Sequence, residues 1–82
     1  MKLIRNKLTD DVIYELLNAC FKSKITSLNL SRNGLTERAF ELFEKYDLGE
    51  LRNITLSLNK VNRRNVKARL EEFTRRGITM SI

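Results

Sequence analysis

The sequence predicts an α/β fold in one domain: about three strand–helix repeats followed by a terminal strand, with all strands parallel. Three observations carry this. Segments 25–35 (ITSLNLSRNGL) and 51–61 (LRNITLSLNKV) share one skeleton, apolar-x-x-apolar-x-apolar-x-x-Asn-x-apolar, and come into step when Asn33 is aligned with Asn59. Between these windows the apolar period changes from 2 to 3.6, the mark of a helix following each strand. A residue able to cap a helix, Thr9, Thr36 or Asn62, stands before each helical stretch.

The repeats fall at about 1–24, 25–50 and 51–76, with a last strand in 77–82. The first enters partway through the pattern, because Met1, Leu3, Asn6 and Leu8 have the same order and spacing as Leu28, Leu30, Asn33 and Leu35. Helices are expected over about 10–22, 37–46 and 63–76. Their buried faces are read as Val12, Leu16 and Ala19, then Ala39, Phe43 and Tyr46, then Val66, Leu70 and Phe73, each set spaced i, i+4, i+7. Glu41 with Lys45, Glu71 with Arg75 and Glu72 with Arg76 are i, i+4 pairs in the favourable order on the solvated side. Gly77 suits the left-handed position after the third helix. Asn33-Gly34 is also a hairpin signal, but TERAFELFEKY follows with helical periodicity, so the hairpin loses. Ile78, Met80 and Ile82 alternate as a strand, with Ile78 taken as the counterpart of Ile54.

Across essentially the whole chain this pattern resembles the leucine-rich repeat family. The repeat length, about 26 to 27 residues with a true helix in each, is similar to its ribonuclease-inhibitor-like subtype. That subtype often carries a Gly early in the helix, where this chain has Val12, Ala39 and Val66. The resemblance implies a short curved solenoid, with the parallel sheet on the concave side and the helices on the convex side. It also implies that Asn6, Asn33 and Asn59 form an inward-turned ladder that satisfies backbone groups where the chain leaves each strand.

No apolar run is long enough to cross a bilayer, and charges interrupt the first residues before any signal-peptide core can form. With Cys20 as the only cysteine, an internal disulfide is excluded and a reducing compartment fits. The expected location is cytoplasmic, with secretion by a signal-less route left open. The chain has no His, no glycine-rich phosphate loop and no Ser beside an evident base. Neither a triad nor a zinc site can be assembled from it, so catalysis, a cofactor and a metal are not expected. Asp10 and Asp11 are adjacent on a helix and read as charge at its N-terminus.

Function is sought on the side chains that alternate outward from the strands. The expected rows are Lys2, Asn29, Thr55 and Thr79, then Ile4, Ser31, Ser57 and Ser81, with Arg5, Arg32 and Leu58 at the strand ends. Charge adds to this. Segments 1–9, 25–36, 51–62 and 77–82 hold six basic residues and no acid, which accounts for the net charge of +6, while the helical remainder holds ten of each sign. Arg63 and Arg64, in the first turn of the third helix, are read with Lys60 as a local anion site.

The leading expectation is a protein–protein interaction module that binds an acidic protein or peptide surface through Lys2, Arg5, Asn29, Ser31, Arg32, Thr55, Ser57, Leu58, Lys60, Arg63 and Arg64, with Leu58 as an apolar anchor. Nucleic-acid binding through the same basic face is the alternative, weakened because the aromatic residues fall in helices. A third reading is a self-assembling structural fragment of a longer repeat protein, a homo-oligomer formed through uncapped ends. A membrane partner is not expected.

Overall fold

Alternation of apolar and polar residues decides which side of each strand faces the core. In the computed structural model, which describes residues 1–82, β1 (Ser27–Asn29), β2 (Asn53–Thr55) and β3 (Thr79–Ser81) form a parallel sheet in that order. Leu28, Leu30, Ile54 and Leu56 point inward and are fully buried, while Ser27, Asn53 and Thr79 stand exposed on the opposite side. A further extended segment runs beside β1: Lys2 bridges to Asn29, Asn29 N–H donates to the Met1 carbonyl at 2.8 Å, and Leu3 N–H to the Asn29 carbonyl at 2.8 Å.

Between the strands lie α1 (Ile13–Ser23), α2 (Arg38–Lys45) and α3 (Arg63–Arg75), with a 3-10 turn at Asp10–Val12 leading into α1. They cover the inner face of the sheet, and one apolar core of 16 buried residues draws on all three helices and on β1 and β2, with the half-buried Met80 of β3 packed against it. No helix is long and apolar enough to cross a membrane.

Where each strand ends, the backbone turns through a left-handed residue at Arg5, Arg32 and Leu58, with φ of 60°, 60° and 59°. Each immediately precedes one of the three asparagines. The side chain of Asn33 then reaches back one repeat: its Oδ1 accepts Asn6 N–H at 2.8 Å and Leu8 N–H at 3.0 Å, and its Nδ2 donates to the carbonyls of Leu3, Leu30 and Ser31. Asn59 does the same for the second repeat, accepting from Asn33 N–H and Leu35 N–H at 3.0 Å each. Asn6 makes one side-chain bond, Nδ2 to the Ile4 carbonyl at 3.3 Å. Gly34 follows in the turn because a Cβ there would sit 3.3 Å from the Leu8 carbonyl oxygen, which already accepts Gly34 N–H at 2.7 Å.

The helix stops differ in kind. Gly77 has φ 79°, and the pair of bonds from Gly77 N–H to the Thr74 carbonyl and from Ile78 N–H to the Phe73 carbonyl closes α3 as a Schellman motif. Lys24, with φ 54°, ends α1 in the left-handed region, with Ile25 N–H donating to the Cys20 carbonyl at 3.0 Å. Tyr46 ends α2 in an extended conformation.

Four expectations need correction. The last strand pairs Thr79 with Asn53 and Ser81 with Thr55, so Met80, not Ile78, lies opposite Ile54. The step from β2 to β3 equals that from β1 to β2, since Ser27 pairs with Asn53 as Asn53 does with Thr79; Ile78 comes straight out of the Gly77 turn and is buried below the sheet. The face of α1 is turned by one residue: Ile13, Leu17 and Cys20 are buried, whereas Ala19 is exposed and Val12 and Leu16 are half-buried. In α2 and α3 the buried residues are Ala39, Phe40, Phe43, Val66 and Phe73, with Leu70 and Tyr46 half-buried. Thr9 makes no side-chain cap and only its carbonyl accepts, from Val12 N–H; Thr36 and Asn62 make the same carbonyl bond and also accept through their side chains, from Arg38 N–H at 3.2 Å and Arg64 N–H at 2.9 Å. Nor do the three i, i+4 ion pairs form. Glu41 and Glu44 turn instead to Arg69 on α3, at 3.8 and 3.3 Å, and Glu72 pairs with Arg75, one position closer than Arg76.

Candidate interaction surface

The outer face of the sheet is built by strand alternation and parallel register alone, and that register sorts its side chains into rows about 4.8 Å apart from strand to strand. Ser27, Asn53 and Thr79 make the first row. Lys2, Asn29, Thr55 and Ser81 make the second. Ile4, Ser31 and Ser57 follow two residues on in their strands, so the expected rows are right for the first three members and shifted by two residues at the last strand. Asn53 is an exposed member that the sequence reading missed, although strict alternation from Ile54 would have found it.

Not all of these residues are equally free. Asn29 Oδ1 accepts both Ser31 N–H at 3.1 Å and Ser31 Oγ–H at 2.6 Å, so these two lock each other and are half-buried. Thr55 and Ser57 are also half-buried, between strands. Lys2, Arg5, Arg32 and Lys60 are exposed, and none has a carboxylate within 4.0 Å. Leu58, 70% exposed on a left-handed backbone, is the most exposed large apolar residue of the chain.

Arg63 and Arg64 lie away from the rows, at the start of α3. They line a groove with Lys67, Leu70 and Glu71, and Lys60 is not part of it. Resolved helix by helix, the equal numbers of acids and bases in the helical layer separate sharply. Segment 10–24 carries three acids against two bases and segment 37–50 five against two, whereas segment 63–76 carries six bases against two acids. The layer is therefore acidic over α1 and α2 and basic over α3.

Two of the acids bind across repeats. Asp10 accepts Thr36 N–H through Oδ1 at 3.0 Å and Thr36 Oγ–H through Oδ2 at 2.5 Å. Glu37 accepts Asn62 N–H at 3.0 Å and Asn65 Nδ2 at 3.1 Å. Both stand four residues after a ladder asparagine, where the third repeat has Arg63. The bond from the Asn62 backbone, then the bond from its own backbone N–H and that from the Asn65 side chain, hold the Glu37 carboxyl below the usual range. With the folded pKa depressed, its contribution is complete above the unfolded value of about 4.3 and is lost as pH falls through the folded value. The melting temperature gap between the wild type and Glu37→Gln is therefore expected to be widest near neutral pH and to close on acidification below the ordinary carboxylate range. A gap that stays constant as the pH is lowered would contradict the linkage.

Cys20 is buried in α1 and burial pushes its thiol up, away from the thiolate that nucleophilic chemistry needs. No three His, Cys, Asp or Glu side chains come together to hold a metal ion. Protein-family models, curated proteins and solved structures were all compared with the chain, and none matches it.

Proposed function

We propose that the chain is a short solenoid of the leucine-rich-repeat type, and that it is a protein-interaction module whose positively charged sheet side, on the concave face, binds an acidic protein or peptide surface. What carries the reading is the set of exposed, unpaired cations Lys2, Arg5, Arg32 and Lys60 on segments that contain no acid at all. Such a face steers an acidic partner during encounter and rejects a basic one. The equal steps between strands and the asparagine bonds from one repeat to the next support the repeat assignment. Leu58, among these cations in sequence, supplies an apolar anchor that gives a contact specificity beyond charge.

The test separates a local patch from overall charge. Partners captured from the native cell by the wild type should be lost, by more than ~10-fold in affinity, from an Arg5→Glu/Arg32→Glu variant. They should be kept by a Lys22→Glu/Lys24→Glu variant, which changes net charge equally on the helical side. Equal loss from both variants would mean that only net charge matters, and the sheet-side reading would fall. Nucleic acid is the alternative partner, favoured by the basic α3 and a pI near 9.9. Capture abolished by nuclease would select it.

A further inference from the structure

Three of the chain's six aromatic residues do not serve the core alone. Tyr14 and Phe21 are each 56% exposed, and with the half-buried Tyr46 they line one open cleft of about 250 Å³ between α1 and the end of α2. Leu17 forms its apolar base, and Asn18 and Asp47 are its polar residues. Tyr14, Asn18 and Phe21 are spaced i, i+4, i+7, so one stripe of α1 builds one side. The Tyr14 and Tyr46 rings meet at 5.0 Å between centroids and 58° between planes, which makes an inclined wall. Phe21 is held in place by the close approach of Gly49, where a Cβ would come within 2.8 Å of the Phe21 ring.

The charge of this cleft is opposite to that of the sheet side. Asp47 uses Oδ1 to accept Gly49 N–H at 2.8 Å, and its Oδ2 has no partner. Asn18 likewise makes no side-chain hydrogen bond within the chain. The cleft lies between the two acidic helical stretches, 10–24 and 37–50. Lys45 Nζ already stands 5.6 Å from the centre of the Tyr46 ring, the range in which an aromatic face attracts a cation. An apolar ligand would use the rings and leave Asp47 and Asn18 idle. A guanidinium uses all of them: it stacks flat on an aromatic face while its edge N–H groups reach a carboxylate and an amide oxygen.

We infer that the cleft between α1 and the end of α2 is a binding site for an arginine side chain of a basic partner peptide. It is a second surface, independent of the proposed acidic-partner site, and its success or failure leaves that reading untouched.

The chain contains two tyrosines and no tryptophan, and both tyrosines line the cleft, so intrinsic tyrosine fluorescence reports on this site. The probes are a blocked Gly-Arg-Gly tripeptide and its Gly-citrulline-Gly counterpart, which keeps the shape and removes the charge. The arginine peptide should change the emission saturably, with a half-point of about 1 mM, as expected for a single side chain held by stacking and one charge-assisted contact. The citrulline peptide should bind at least ~10-fold more weakly. Asp47→Asn, which keeps the acceptor for Gly49, and Phe21→Leu, at an exposed position, both retain the two reporters and should each weaken the arginine peptide several-fold. Equal binding of the two peptides would make the cleft merely apolar and overturn the proposal. So would the absence of saturation with the arginine peptide up to ~50 mM, or wild-type affinity in both variants.

Discussion

Asn33→Ala should be among the most destabilising of the polar substitutions in this chain, beside Asn59→Ala, while the same change at Asn6 should cost almost nothing. Asn33 makes five side-chain hydrogen bonds to backbone groups of two repeats, and truncation leaves two N–H groups and the Leu3 carbonyl to find other partners, since the Leu30 and Ser31 carbonyls keep bonds from Asn59 Nδ2 and Arg5 N–H. Each bond contributes on the order of 1 kcal/mol net, and a donor stranded away from water costs about 1 to 3 kcal/mol. The site is half-buried, so water recovers part of this. A loss of about 3 to 5 kcal/mol is expected. A domain of this length has roughly 4 to 12 kcal/mol in total, so the variant should melt at least ~15 °C lower or lose its cooperative transition. Asn6 has one bond of 3.3 Å at an exposed position, and its removal should stay below ~0.5 kcal/mol. Thermal unfolding followed by circular dichroism compares the two directly. Similar melting temperatures for Asn33→Ala and Asn6→Ala would show that the asparagines do not hold one repeat to the next.

This contrast also shows how far the residues alone could be read. The three asparagines look equivalent in sequence, and their spacing is enough to expect a ladder. Their inequality is not visible there, because Asn33 and Asn59 each act on the preceding repeat, and the described chain offers Asn6 no such repeat to hold. The helix faces show a similar limit. Counted from its own asparagine, the α1 face Ile13, Leu17 and Cys20 occupies the same positions as Val66, Leu70 and Phe73 in α3; the middle helix sits one residue earlier, and carrying its spacing back to α1 gave the wrong stripe. Tyr14 and Phe21, which flank the true stripe, went unremarked, and with them the aromatic cleft. The sheet rows were legible because alternation has period 2, and they slipped only where the Gly77 turn decides how the last strand begins. Charge was legible as a total. Its division between α1 with α2 on one side and α3 on the other follows once each helix is placed as a separate body.

How firmly α3 is held bears on every reading that uses its charge, and here aromatic packing outweighs the ion pairs. Arg69 contacts Glu41 and Glu44 from α3, but these groups are substantially exposed, and such pairs contribute from nothing to about 1 kcal/mol. Phe40 of α2 and Phe73 of α3 are fully buried, with ring centroids 6.1 Å apart at 65°, an edge-to-face contact joining the two helices. Phe40→Ala removes that ring from the centre of the core and should cost about 3 to 5 kcal/mol, comparable to the loss at Asn33, whereas Arg69→Ala should stay below ~1 kcal/mol. Phe40→Leu keeps most of the volume and should cost roughly 1 to 1.5 kcal/mol. Combined with Phe73→Leu, it isolates the ring–ring term, expected at about 0.5 to 1.5 kcal/mol in a double-mutant cycle read from urea midpoints. Strict additivity of the two changes would mean that each ring is buried against aliphatic neighbours and the edge contact contributes nothing. Because α3 fully buries only Val66 and Phe73, its basic residues Arg63, Arg64 and Lys67 depend for their placement on this packing and not on salt bridges. Raising the ionic strength should therefore not loosen α3, and its melting transition should be nearly independent of salt.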